Sequence, residues 1–90
     1  MWIRSQNRMR LKDVNRFVIE QFETGIYIVG NGCTLGIYST KEKALKVLDE
    51  IQDAIEDTGF YRIDNIGHGT YAFSKGVLVY QMPQDEDVKL

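Results

Sequence analysis

The stretch Leu35–Gly59, LGIYSTKEKALKVLDEIQDAIEDTG, decides the fold, because a strand runs straight into an amphipathic helix that must dock on something. Ser39 and Glu42 stand at capping-box spacing, in which the serine oxygen takes the third helical amide and the glutamate reaches back to the serine amide. Beyond them Ala44, Leu45, Leu48, Ile51 and Ile55 form one apolar stripe, flanked by Val47 and Ala54, while Lys43, Lys46, Glu50, Asp53 and Asp57 face water. Gly59 is placed to end the element as a left-handed cap, which predicts a helix over residues 40–58. Burying four or five such side chains, at roughly 1.5 to 3 kcal/mol each, makes this stripe the largest identifiable block of core.

Docking, and not local charge, must hold this helix. Lys41 and Lys43 sit at the positive end of the helix dipole, and Glu56 and Asp57 at the negative end, each unfavourable by about 0.3 to 1 kcal/mol at low salt. The Glu42–Lys46 pair returns only a few tenths. The acidic end of the helix reads as a solvated face.

On the N-terminal side, residues 1–6 alternate as a strand, with Met1, Ile3 and Ser5 on one side and Trp2, Arg4 and Gln6 on the other. Ser5 to Arg8 reads as a turn, and Met9 to Asp13 as a short strand or an arginine-bearing loop. Residues 14–22 and 26–29 read as strands, parted by Glu23-Thr24-Gly25. Asn31-Gly32 between apolar runs is a strong hairpin signal and makes residues 33–38 the partner of 26–29. A phosphate-cradling loop is the competing reading of Gly30 to Gly36. It lacks the Gly-Lys-Ser/Thr ending, and a strand follows it instead of a helix.

On the C-terminal side, residues 60–63, 71–73 and 77–82 read as strands, with a polar loop between Asp64 and Thr70, and Pro83 closes the last of them. The acidic segment 84–90 is expected to be a flexible tail. The order predicts an α+β fold in a single domain, residues 1–83: a curved antiparallel sheet with one amphipathic helix packed on it.

Ninety residues with 43% apolar content make one small soluble domain with a thin core, which self-association would strengthen, so a homo-oligomer is expected. The single cysteine, Cys33, forms no internal disulfide and points to a reducing cytoplasmic setting. Neither an export signal nor a membrane span is legible. Charge is uneven: the first sixteen residues carry +4 and the remainder −6. Five basic residues before an acidic remainder argue against binding of long nucleic acid, and a small phosphorylated ligand suits them better.

No catalytic constellation is visible. His68 has no partner legible in sequence, Cys33 lies in a hairpin strand as a small core residue, and neither a metal-ligand set nor a cofactor motif is present. The groups best suited to contact a ligand are Trp2, Arg4 and Gln6 on one face of the first strand. An aromatic plane, a guanidinium and an amide there can stack on a base, grip a phosphate and read an edge. Tyr38, and then Tyr80 and Gln81 of the last strand, complete the candidate set. The competing reading has Trp2 capping the core and Arg4 paired with an acid.

Taken together, MWIRSQ at the start, LGIYSTKEKALKVLDEIQ in the middle and VYQMPQDED at the end resemble a family of small uncharacterised proteins carried by prophages and mobile elements of Gram-positive bacteria. That resemblance implies no activity, cofactor or catalytic residue, but it does imply a context. Small accessory phage proteins without catalytic groups are frequently inhibitors of host defence. The expectation is therefore a non-enzymatic anti-defence protein that sequesters a small nucleotide immune signal, with a protein-binding inhibitor of a host defence protein as the alternative. Hydrolysis of the signal would require His68.

Overall fold

A computed structural model describes the backbone of residues 1–64 and 79–90 and the side chains of residues 1–56 and 79–90. The chain runs β1 (Trp2–Arg4), β2 (Leu11–Asp13), β3 (Phe17–Phe22), β4 (Gly25–Gly30), β5 (Cys33–Tyr38), α1 (Lys41–Asp64), β6 (Val79–Gln81) and a short 3-10 turn at Asp85–Asp87. This is the expected α+β fold, with the helix packed on β3, β4 and β5.

The single antiparallel sheet is corrected to two three-stranded sheets, in the orders β3-β4-β5 and β2-β1-β6. The first is an antiparallel meander. The second is mixed, because β6 lies parallel to β1. A parallel pair needs a long crossover, and the chain between β1 and β6 contains the helix that makes one possible. Met82 N donates to Arg4 O at 3.0 Å and extends that pairing by a residue.

The meander follows the turn chemistry of the sequence. Asn31 and Gly32 both hold positive φ, at 47° and 85°, as a two-residue hairpin turn requires. The Asn31 side chain then clamps the entry to β3: its Oδ1 accepts from Asn15 N and Arg16 N at 3.4 and 3.2 Å, and its Nδ2 donates to Asp13 O at 3.4 Å. The strand expected over 14–22 therefore begins at Phe17, and Val14 is instead fully buried in the core.

The pairing of β4 with β5 shifts register after Ile28: Ile28 faces Gly36 but Val29 faces Thr34, which leaves Leu35 as the extra residue of a bulge. Strict alternation puts Cys33, Leu35 and Ile37 on one side. The bulge instead buries Leu35, Gly36 and Tyr38 and turns Ile37 outward, where it is 42% exposed. Glycine at 36 permits a close approach, since a Cβ there would lie 3.0 Å from both Cε2 and the hydroxyl of Tyr38 and that buried ring would have to give way.

Two corrections concern the helix. Its cap is Thr40, whose Oγ1 accepts from Lys43 N at 3.1 Å, one residue later than the expected Ser39 box. Its buried face is Ala44, Val47 and Ile51, with Leu48 and Ala54 partly covered, whereas Leu45 and Ile55 are each 42% exposed. It also continues through Gly59 to Asp64, so residues 60–63 are helix and not strand. A glycine inside a helix costs about 1 kcal/mol relative to alanine and does not by itself stop one, and four residues, Phe60 to Ile63, are too few to carry a period that separates helix from strand. The expected strand at 71–73 lies outside the described residues. Of the one expected at 77–82, Val79–Gln81 is strand and residues 77 and 78 also lie outside.

Ile3, Val14, Ile28, Leu35, Tyr38, Ala44, Val47, Ile51 and Met82 form one core between the sheets and the helix, and Val88 joins them at 7% exposure. Residues 84–90, expected as a flexible tail, thus carry a core side chain. They also bring Asp85 to the helix entry, where its Oδ1 accepts from Ser39 N at 2.8 Å and from Ser39 Oγ at 3.1 Å.

Candidate functional site

Residues opposite one another in a sheet share a face. Trp2 stands between Asp13 and Val79, and Arg4 between Leu11 and Gln81, so all six lie on the outer face of the β2-β1-β6 sheet. The opposite face carries Ile3, Lys12 and Tyr80 toward the core. Among the described residues the outer face is open: Trp2 is 38% exposed, Leu11 54% and Val79 47%. Arg4 is tethered there by its Nε, which donates to Arg8 O at 2.9 Å. The supporting turn is internally hydrogen-bonded. Buried Ser5 receives Arg10 N on its Oγ at 3.0 Å and donates that hydroxyl to Asn7 Oδ1 at 2.7 Å.

The other sequence candidates have their polar atoms engaged inside the fold. Gln6 Oε1 accepts from Ile37 N at 2.9 Å, and its Nε2 donates to Ile37 O at 3.0 Å and Pro83 O at 3.2 Å. The side-chain amide therefore pairs with the edge of β5 as a strand backbone would. Gln6 N also donates to Leu35 O at 2.7 Å, so this residue joins the two sheets. Tyr38 is buried and donates its hydroxyl to Pro83 O at 2.8 Å. Gln81 Nε2 donates to Ser5 O and Met82 O, at 3.0 and 2.8 Å. Tyr80 donates to Glu50 Oε1 at 2.8 Å, tying β6 to the helix. Burial, followed by that carboxylate, pushes the Tyr80 hydroxyl well above the ordinary tyrosine range. Of the six candidates, the structure brings Trp2, Arg4 and Gln81 to one face and leaves only Trp2 and Arg4 with groups directed outward.

Sequence reasoning missed the surroundings of Cys33. Its thiol is half-buried and receives Lys12 Nζ at 3.0 Å, with Arg10 Nη1 at 3.8 Å. The lysine hydrogen bond outweighs partial burial and holds the thiol below its ordinary range. An open cleft of about 400 Å³ adjoins it, lined by Ser5, Gln6, Asn7, Arg10 and the start of β5 from Cys33 to Ile37. No local signal joins Lys12 to Cys33, because the contact depends on how the two sheets meet. The cleft has no aromatic side chain in its wall, so the stacking group Trp2 and the cationic hollow are separate features.

Among the described residues no group of three or more His, Cys, Asp or Glu side chains is placed to hold a metal ion, and no helix is long and apolar enough to cross a membrane. His68 lies outside the described residues. The fold and this face define a small α+β domain with an exposed aromatic and guanidinium pair on the outer face of a three-stranded sheet. No family model, curated protein or solved structure matches the chain.

Proposed function

We propose that this is a non-enzymatic accessory protein of the mobile-element kind, which acts by binding a host defence protein through the outer face of the β2-β1-β6 sheet. The observation that carries the reading is the composition of that face: Trp2 and Arg4 side by side, flanked by exposed Leu11 and Val79. Tryptophan and arginine are the residues that most often dominate protein interfaces, and an apolar surround that excludes water strengthens both. Small ligands favour concave sites that cover most of their surface, and the cleft beside Cys33 has neither Trp2 nor Arg4 in its wall.

Sequestration of a small phosphorylated ligand is the second reading. It is favoured by the cleft beside Arg10 and Lys12, where two cations stand near a hollow large enough for a small anion. The separation of that hollow from Trp2 counts against a stacked nucleotide.

Affinity capture from a Gram-positive host lysate distinguishes the two. The expected result is a stoichiometric protein partner that the wild-type chain retains and a folded Trp2→Ala, Arg4→Ala double variant loses. Retention of that partner by the double variant, or recovery of an intact nucleotide with no protein partner, refutes the protein-binding reading.

A further inference from the structure

We propose that the open edge of β3 pairs with β3 of a second copy of this chain, antiparallel about a twofold axis at Ile19, joining two three-stranded sheets into one of six strands. Among the described residues β3 is the longest unpaired edge, at six residues, against three each for β2 and β6. The far edge of β5 is already taken up by Gln6. Natural sheets guard such edges with lysine, proline or a bulge. Between Phe17 and Phe22 there is no lysine and no proline, and the ladder to β4 keeps one register throughout.

The chemistry of the strand selects its own partner. If both helices stay on the same side of the enlarged sheet, only residues on the same face oppose one another. Two registers then keep the strands centred. One sets Glu20 against Glu20, a like-charge pair that disfavours it. The other sets Ile19 against Ile19, Phe17 against Gln21 and Val18 against Glu20, and it brings Phe22 opposite Arg16. Arg16 is already in strand register, because its carbonyl accepts from Asn31 N at 3.2 Å and continues the β3·β4 ladder. In this register Arg16 of the second copy is a diagonal neighbour of Glu20, within reach of a long side chain, and its guanidinium lies across from the Phe22 ring; the other diagonal neighbour is Glu20 itself, one like-charge diagonal against two Arg16–Glu20 ones. Symmetry makes each contact twice. Val18 and Phe22, 43% and 53% exposed in the single chain, are partly covered by it. A flipped partner would instead set helix-side Ile19 against Glu20 of the outer face.

Sedimentation equilibrium of the full chain over a dilution series tests the pairing, with circular dichroism confirming that each variant folds. The expected result is a reversible dimer of a 10.4 kDa chain, with β3 amides exchanging more slowly as concentration rises. Glu20→Lys should raise its dissociation constant about tenfold, and adding Arg16→Glu should restore it. A chain that stays monomeric throughout, or a dimer indifferent to both substitutions, overturns the proposal. Glu20→Gln should weaken the dimer as well, since it removes two Arg16–Glu20 diagonals and only one Glu20–Glu20 diagonal, and a tighter dimer with that change overturns the register.

Discussion

Replacing Gln6 by alanine separates a structural role from a ligand-binding one. The substitution deletes three side-chain hydrogen bonds, to Ile37 N, Ile37 O and Pro83 O, and leaves those backbone groups to water or unpaired. Each bond contributes about 0.5 to 1.5 kcal/mol net, and the Ile37 pair is solvent-exposed, so the loss is placed near the lower end, at about 2 kcal/mol in total. For a domain of this size that is a fall of about 8 to 16 °C in Tm, and a large part of the 5 to 15 kcal/mol that holds small domains together. Urea unfolding should show the midpoint fall with an unchanged slope, because the surface exposed on unfolding is nearly the same. Gln6→Glu sharpens the test. A carboxylate still accepts from Ile37 N but cannot donate, and it faces the carbonyls of Ile37 and Pro83. It should therefore be at least as damaging at neutral pH and partly recover once acid protonates it. A loss below about 0.5 kcal/mol for Gln6→Ala would refute the joining role and return the residue to the binding candidates.

Asp85→Asn should cost about 1 kcal/mol at neutral pH, because Ser39 N and Oγ and Lys43 Nζ all lie beside this carboxylate. The Ser39 amide, first among the causes, holds its pKa below the ordinary 3.8, so this stability is present above that value and lost as pH falls through the depressed one; thermal scans of both proteins should converge in acid. Cys33 should react with iodoacetamide at neutral pH faster than an unperturbed thiol, since its lowered pKa leaves more thiolate, and Lys12→Ala should abolish the advantage; equal rates in the two proteins would discount the 3.0 Å contact.

What was legible in the sequence is what local chemistry governs. Asn31-Gly32 has the residues a positive-φ turn demands, and the turn is there; the strand-into-helix junction after Tyr38 is there as well. The alternation of the first strand also holds, with Ile3 and Ser5 buried and Trp2 and Arg4 outside. The errors arise where a residue's role depends on a distant one. Ser39 fits a capping box by spacing, but Asp85 occupies its amide and hydroxyl, and Thr40 caps instead. Strict alternation sets Cys33, Leu35 and Ile37 on one side, but one bulge residue, Leu35, turns Ile37 outward and buries Tyr38. Gln6 has the composition of a ligand contact and the partners of a strand backbone.

The charge pattern that seemed to work against the helix is resolved by the same long-range contacts. Lys41 and Lys43 at the positive end of the dipole are unfavourable only while that end is considered alone. In the fold, Asp85 brings a carboxylate to the same end, and Lys43 Nζ donates to Asp85 O at 3.0 Å and lies 3.7 Å from Oδ2. The lysine then serves the docked segment, and the carboxylate offsets the charge of the lysine against the dipole. Val88 fixes the segment by burial, and the Gln84 side chain donates to Gln6 O at 2.7 Å, so the tail is bound both to the helix entry and to the residue that joins the sheets. The uneven charge of the chain is therefore in part an intramolecular match, in which an acidic segment after Pro83 neutralises a basic helix entry more than forty residues earlier. Trp2 and Arg4 stand apart from that match, on the outer face of the β2-β1-β6 sheet, and recognition is assigned to that face.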